Sequence, residues 1–204
     1  MHLTDSQVFT ELLPQWRQSK LWFEQDAARA LTENRYRFVH GRTDRDIYLI
    51  RCWLVQPEKI VAGEEEILSS SNAVMLHFFP RGDDDQCLHN HPWHFRTTIL
   101  QGGYAEHLPP ASWLDRYLHI LAQGCTVDQE GRPIPGPDWD REIQTRDVGE
   151  SVEHQAWDLH CVGTVLPDTW TLVRTSPKIA SWGFHPPGKP FVGWRAYLDS
   201  LVPR

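Results

Sequence analysis

Apolar positions in the first thirty residues recur at helical spacing. Val8, Phe9, Leu12 and Leu13 follow Asp5 and Ser6, either of which can cap a helix. Pro14 interrupts or restarts the pattern, and Trp16, Leu21, Trp22, Phe23, Ala27, Ala28 and Leu31 carry it toward Asn34. The spacing predicts one broken helix or two short ones over 6–33, packed on the outside of a sheet. Its aromatics could instead face a partner subunit, which leaves a homodimer open. From Asp46 the pattern changes to that of strands. Residues 47–55 are rich in β-formers and end before Pro57; 73–79 form a second such run, closed by Pro80. Further strands are expected at 95–100, 159–165, 170–175 and 180–185, with turns at the acidic, serine-rich stretch 63–72, at Gly102-Gly103 and at Pro186-Pro187-Gly188. Short strands with frequent turn signals indicate an all-β sandwich or barrel.

Residues 107–145 break the regularity. Trp113, Leu114, Tyr117, Leu118 and Leu121 fit a short helix or a strand, and the Gly/Pro-rich run 131–137 cannot be a central strand. The stretch reads as an insertion, either a lid or a surface loop. Residues 193–201 close the chain as a short helix. The division expected is a helical extension over 1–45 and a single β domain over 46–204.

Composition narrows the class. The chain has 204 residues, 40% hydrophobic and 23% charged, enough for one domain with its own core. Its net charge of −7 argues against a nucleic-acid or anionic-membrane partner. Cys52, Cys87, Cys125 and Cys161 include no C-x-x-C pair and read as reduced thiols. Residues 1–15 lack a signal-peptide pattern, and no apolar run approaches the ~18 residues of a membrane span. A soluble cytoplasmic protein is the expectation. No G-x-S-x-G, P-loop or G-x-G-x-x-G is present, which removes acyl-hydrolase, NTPase and Rossmann readings.

The concentrated chemistry lies in Cys87-Leu88-His89-Asn90-His91-Pro92-Trp93-His94-Phe95-Arg96. If 88–91 is extended, His89 and His91 share one face of a strand and can converge on an ion. Pro92 belongs at a strand end or bulge. A second segment, from Gly149 to His160, follows sixty residues on.

These two segments resemble the paired motifs of the cupin superfamily. His89 and His91 match the His-x-His of the first motif, with Gly102 or Gly103 at its closing glycine. Gly149 and His160 match the spacing of the second. The first motif's glutamate is absent, with Phe95 and Arg96 at its two places, and Gln155 and Trp157 replace the Pro and Gly of the second. Leu76-His77-Phe78-Phe79, Asp83-Asp84-Asp85, His89-Asn90-His91-Pro92-Trp93-His94-Phe95, Gly102-Gly103-Tyr104-Ala105-Glu106, Trp170-Thr171-Leu172, Trp182-Gly183-Phe184 and Gly193-Trp194-Arg195 together are similar to a bacterial and phage cupin subgroup. The resemblance runs from about Arg51 to the C-terminus. It implies a single-domain cupin double-stranded β-helix (jelly-roll) barrel with N-terminal helical decoration, and a metal site at His89, His91 and His160. It implies no particular reaction.

A neutral set of three imidazoles suits Fe(II), Zn(II), Ni(II) or Cu(II) better than Mg(II) or Ca(II), and it leaves coordination positions open. His94 becomes a fourth ligand only if Pro92 bulges the strand; plain alternation turns it away from His91. His77 either lines the barrel mouth or is a satisfied buried histidine. Arg96 would clamp a substrate carboxylate or phosphate, or else point outward to a surface acid; Arg174 is a weaker candidate of the same kind. Asp83-Asp84-Asp85 lacks calcium-loop spacing and reads as a solvated turn. Trp93, Tyr104, Trp157 and Trp182 are pocket walls or core. The first functional reading is a mononuclear non-heme Fe(II) dioxygenase acting on a small polar or anionic molecule. The second is a Zn- or Mn-dependent sugar-type isomerase or lyase, with His77 or Glu106 as its base. The third is a non-catalytic cupin that binds a small ligand or a partner protein.

Overall fold

Where the apolar period changes from helical to alternating, the backbone changes with it. The computed structural model describes residues 3–41, 46–57, 59–62, 65–68, 71–82, 87–109, 141–186 and 191–201. The N-terminal stretch becomes α1 (Asp5–Gln7), a π-helical turn (Val8–Leu12), α2 (Leu13–Gln18) and α3 (Trp22–Thr32). Thr4, rather than Asp5 or Ser6, is the N-cap: it forms a capping box with Gln7. Pro14 falls in the first turn of α2, where its missing N–H costs little. The π turn ahead of it accommodates a ring that would meet the carbonyl four residues earlier in a regular helix.

The strands are β1 (Tyr36–His40), β2 (Ile47–Val55), β3 (Lys59–Ala62), β4 (Glu65–Leu68), β5 (Ala73–Phe79), β6 (Leu88–His89), β7 (Phe95–Gln101), β8 (Gly103–Leu108), β9 (Glu142–Asp147), β10 (Ser151–His154), β11 (Cys161–Val165), β12 (Thr169–Thr175), β13 (Gly183–His185) and β14 (Val192–Gly193). Helix α4 (Trp194–Leu201) follows them. One six-stranded sheet has the order β1-β2-β5-β12-β7-β10; two smaller ones are β11-β8-β9 and β14-β13-β6, and β3-β4 is a separate hairpin. All pairings are antiparallel. Among the described residues no ladder joins the sheets into one ring. The double-stranded β-helix is therefore a jelly-roll sandwich, with its interior between the layers.

Both faces of the large sheet are covered. On the outer face Ile50 pairs with Phe78 and Phe78 with Trp170, while Cys52 pairs with Leu76 and Leu76 with Leu172. Trp16, Phe23, Ala27 and Leu31 of the helices pack on these rows. Trp16 meets Trp170 edge to face at 4.9 Å and Phe78 at 5.4 Å. On the inner face Arg51 pairs with His77 and His77 with Thr171; Trp53 pairs with Met75 and Met75 with Val173. Burial on both faces explains why β5 reads as a nearly continuous apolar run.

Several boundaries differ from the sequence reading. The sheet reaches back to Tyr36, inside the stretch assigned to the helical extension, because Tyr36–His40 pairs with β2 as an edge strand. Part of the expected turn at 63–72 is β4, paired with β3. The extended run expected at 88–91 is only two residues long. The strand expected at 180–185 is confined to Gly183–His185. Gly102 has φ +69, and a Cβ there would collide with Thr169, so the β7–β8 turn needs glycine. Trp113 to Leu121, the run 131–137, Asp83-Asp84-Asp85 and Cys125 lie outside the described residues. Cys52 is a buried free thiol. Among the described residues no helix is long and apolar enough to cross a membrane.

Trp16→Ala should destabilise the protein by about 3–5 kcal/mol in a denaturant titration, the usual cost of deleting a buried indole. Trp22→Ala, at a residue 48% exposed, should shift it by about 0.5 kcal/mol or less.

Candidate metal centre

Three histidines from two separate stretches meet between the layers. His89 ends β6, and His160 lies just before β11. Their backbones exchange two hydrogen bonds, His89 N to His160 O at 2.9 Å and the reverse at 3.0 Å. This bridge places the two residues directly opposite each other. His91 lies two residues beyond His89, just past the end of β6. Asn90, between the two histidines, is tied down: its amide nitrogen donates to the carbonyls of Ala156 and Ser181, and its oxygen accepts from Gly183 N. Ile179 N and Ala180 N donate to the Pro92 carbonyl. The histidines thus converge through the His89–His160 cross-strand bridge, with the His91 ring 5.2 Å from that of His89 two residues along the chain.

His89, His91 and His160 can each present a ring nitrogen within 4.8 Å of the others. The His91 and His160 Nε2 atoms are 2.9 Å apart. Two imidazoles bound cis to one ion with bonds of about 2.1 Å would hold their nitrogens about 3.0 Å apart. His160 Nδ1 lies 2.7 Å from Glu106 Oε1. An ionised carboxylate only accepts, so Nδ1 carries the proton and Nε2 keeps its lone pair. His89 Nδ1 lies 3.4 Å from the Cys87 carbonyl oxygen, which fixes its tautomer the same way. The donor set fits a divalent transition ion of the kind that accepts imidazole.

Glu106 is fully buried. Oε1 takes hydrogen bonds from His160 Nδ1 and, at 3.0 Å, from His154 Nε2. Oε2 receives both Nε and Nη2 of Arg146, each at 2.7 Å. Burial pushes this carboxyl up, but the hydrogen bonds and charges of His154 and His160 outweigh it and hold it well below the usual range. Glu106, His154 and His160 also form a second group able to hold an ion. The two groups share His160, whose Nδ1 would serve the second and Nε2 the first. With Arg146 already neutralising the carboxylate, Glu106 is better placed to orient His160 than to take a cation itself. The glutamate missing from the His-x-His segment is thus supplied, in a supporting position, from β8.

Burial lowers the pKa of His91 far below the ordinary histidine value, and the charges of His160, His89, Arg51 and His154 add to it. Burial also lowers His160, against the opposing pull of Glu106. Both rings therefore offer lone pairs at neutral pH. Phe95 packs against His91, His154 and His160, and Trp93 stacks on His91 at 6.4 Å.

The other candidates divide by strand face. His77 is buried on the inner face and accepts from Arg51 Nε at 3.1 Å. Burial first, then Arg51, holds it well below the usual histidine value. Tyr104 is buried against Phe79, on the same face of β8 as Glu106. Arg96 points outward, exposed, toward Glu153 at 3.8 Å, and Arg174 opposite it is exposed too. Neither can clamp a molecule in the interior. His94 is turned away from the three histidines: its Nδ1 accepts from Ala156 N, and its ring meets Trp157 edge to face. Trp157, 66% exposed, walls no interior pocket, and Trp182 stacks on Trp194. The sequence reading passed over His154, Arg146 and Arg51. Val152-Glu153-His154 does carry a local signal, because the parity that turns Glu153 outward turns His154 inward.

No protein-family model matches the sequence. No curated protein matches it. Among solved structures the chain is similar to the DMSP lyase DddQ from Ruegeria pomeroyi DSS-3, at 14% identity over 80% of this chain and 70% of that one, with a TM-score of 0.45. An uncharacterised double-stranded β-helix protein from Klebsiella pneumoniae matches at 12% identity over 76% and 93%, with a TM-score of 0.41. Hydroxypropylphosphonic acid epoxidase from S. wedmorenis matches at 10% identity over 70% and 56%, with a TM-score of 0.38. The chain thus spans little more than half of that epoxidase, and these likenesses concern the fold alone.

Acidification should unfold the metal-free protein in two stages. His77, His91 and His160 have folded pKa values below their ordinary 6.5, so the unfolded chain binds protons first and stability falls as pH drops below about 6.5. Glu106 adds stability above its ordinary 4.5 that is lost as pH falls further, toward its lower folded value. Chelator-treated protein followed by urea titration from pH 8 down to about pH 2 checks both stages. Glu106→Gln should weaken metal binding by about 10–100-fold in a chelator competition, the usual effect of losing such a support.

Proposed function

We propose that His89, His91 and His160 bind one divalent transition metal ion, and that the protein is a mononuclear Fe(II) dioxygenase acting on a small polar or anionic substrate. The observation that carries this reading is the meeting of the His91 and His160 Nε2 atoms at 2.9 Å, with Glu106 holding the far side of His160. When bound, Fe(II) would supply the activation of O₂ that oxidises the substrate.

The chain's own residues have definite parts in this reading. The three ligands are neutral, so the cation's charge remains to attract an anionic substrate. Glu106, neutralised by Arg146, fixes the His160 tautomer without placing a charge on the ligand set. His89 and His91 are half-buried whereas His160 is buried, which leaves one side of the set approachable. Trp93 and Phe95 pack around His91 and keep water from most of its surface. The isomerase or lyase reading requires a nearby base. Glu106 is unsuited, since both oxygens are engaged by His154, His160 and Arg146.

Protein purified without oxygen should contain about one transition-metal ion per chain. His89→Ala with His160→Ala should abolish it, while His185→Ala should not. Fe(II)-loaded protein should consume O₂ in an electrode screen of amino-acid thiols, keto acids and small phenolic acids, and the Zn(II)-loaded form should not. Full metal occupancy in the double variant would sink the ligand assignment. Anaerobic turnover by Zn(II) or Mn(II) protein as fast as that of Fe(II) protein in air would replace the oxygenase with an isomerase.

A further inference from the structure

A cavity of about 100 Å³ opens on the inner face of the large sheet. Arg51, Trp53, Met75 and Trp93 line it, with Arg37 and Lys178 also in its wall. Three cations therefore surround a small space, and among the described residues no Asp or Glu lines it. Arg51 is the informative one. Its Nε donates to His77, and among the described residues no carboxylate pairs with its guanidinium. Burial weighs against its charge; the Tyr48 phenol relieves part of that cost, and Arg37 adds repulsion. An uncompensated guanidinium in such a place is costly unless something anionic comes to it. Arg37 and Lys178 are exposed, so they can draw an anion in without holding it as tightly as Arg51 can.

The cavity adjoins the metal centre through single side chains. Trp93 lines it and stacks on His91. Met75 lines it and packs with Phe95, whose ring is 4.8 Å from that of His91. We infer that Arg51 is the anchor for a carboxylate, and that the substrate is a small carboxylic acid whose chain runs past Trp93 and Met75 toward the three histidines. The occupied Nε leaves the Nη1 and Nη2 end of the guanidinium, a two-pronged donor that matches the two oxygens of a carboxylate. The apolar lining suits a short hydrocarbon segment, and the volume is small even beside ordinary ligand pockets of ~300–1,000 Å³. This assignment deepens the metal-enzyme reading and rests on it for the site of reaction, but the charge recognition needs no metal.

The test is calorimetric titration of propionate into the full chain and its variants, with metal content measured on the same samples. The full chain should bind about one propionate. Arg51→Met should weaken that by tenfold or more with metal content and circular dichroism unchanged. Arg51→Lys, which keeps the charge but not the fork, should fall between, and Arg96→Met should match the parent. Equal affinity in Arg51→Met, or no saturable binding of propionate or butyrate by the parent, overturns the assignment. Inorganic phosphate displacing propionate at a lower concentration than acetate does overturns the carboxylate class. The His89→Ala, His160→Ala variant separates the two readings. A variant that loses propionate dependence on Arg51 speaks against the anchor, whereas unchanged metal content there speaks against the ligands alone.

Discussion

A fully buried carboxylate is the constraint on which the site depends. Glu106 sits on β8 of one small sheet, and its partner Arg146 on the adjacent β9. His154 comes from β10, the far edge of the large sheet. His160 is bridged through its backbone to His89 of the third sheet. One side chain therefore ties all three sheets together at the place where the ligands meet. A buried charge is costly unless paired and hydrogen-bonded, and here four donor nitrogens converge on two oxygens. Loss of any partner would leave the rest badly compensated, so the network fixes how the layers pack as well as which nitrogen of His160 is exposed.

The two faces of the large sheet divide the work. Outer-facing residues of β2, β5 and β12 are covered by α2 and α3 and contribute burial, with Trp16, Phe78 and Trp170 at the centre. Inner-facing residues of the same strands include Arg51, His77 and Thr171, polar groups in the position where a sandwich normally places hydrocarbon. That choice sacrifices apolar area. The helices recover it on the opposite face, which gives the N-terminal extension a structural reason: without it the outer row would be exposed.

The meeting of the histidines and the β7–β8 turn are legible in the sequence because their signals are local. His89 and His91 are two residues apart, and Gly102-Gly103 marks a turn whose left-handed backbone requires glycine. The support for the ligands was not legible, because it is assembled across strands. Arg146 is forty residues from Glu106, and Arg51 twenty-six from His77. No spacing rule along one segment brings such pairs together. For Arg96 the motif position suggests a substrate clamp, and the alternative is an outward pairing with a surface acid. β7 alternates, with Phe95 and Thr97 buried and Arg96 exposed, so the outward orientation is the one found. Parity against the buried neighbours, rather than position in a motif, decides which arginine faces inward.

That rule also explains how charge is arranged around the centre. Three neutral imidazoles leave a bound cation uncompensated from the first coordination sphere. Glu106, bonded to His160, is neutralised by Arg146 and would not compensate it either. Arg51 then adds a second positive charge beside His91, close enough to depress that ring's affinity for protons. A metal ion bound beside this guanidinium, which no carboxylate pairs among the described residues, would be disfavoured until a negative charge arrived. Cation binding and anion binding would then favour each other: a ligand with a carboxylate would lower the cost of both charges at once. Among the described residues no Asp or Glu lines the space beside Arg51, which makes an external anion the complementary partner.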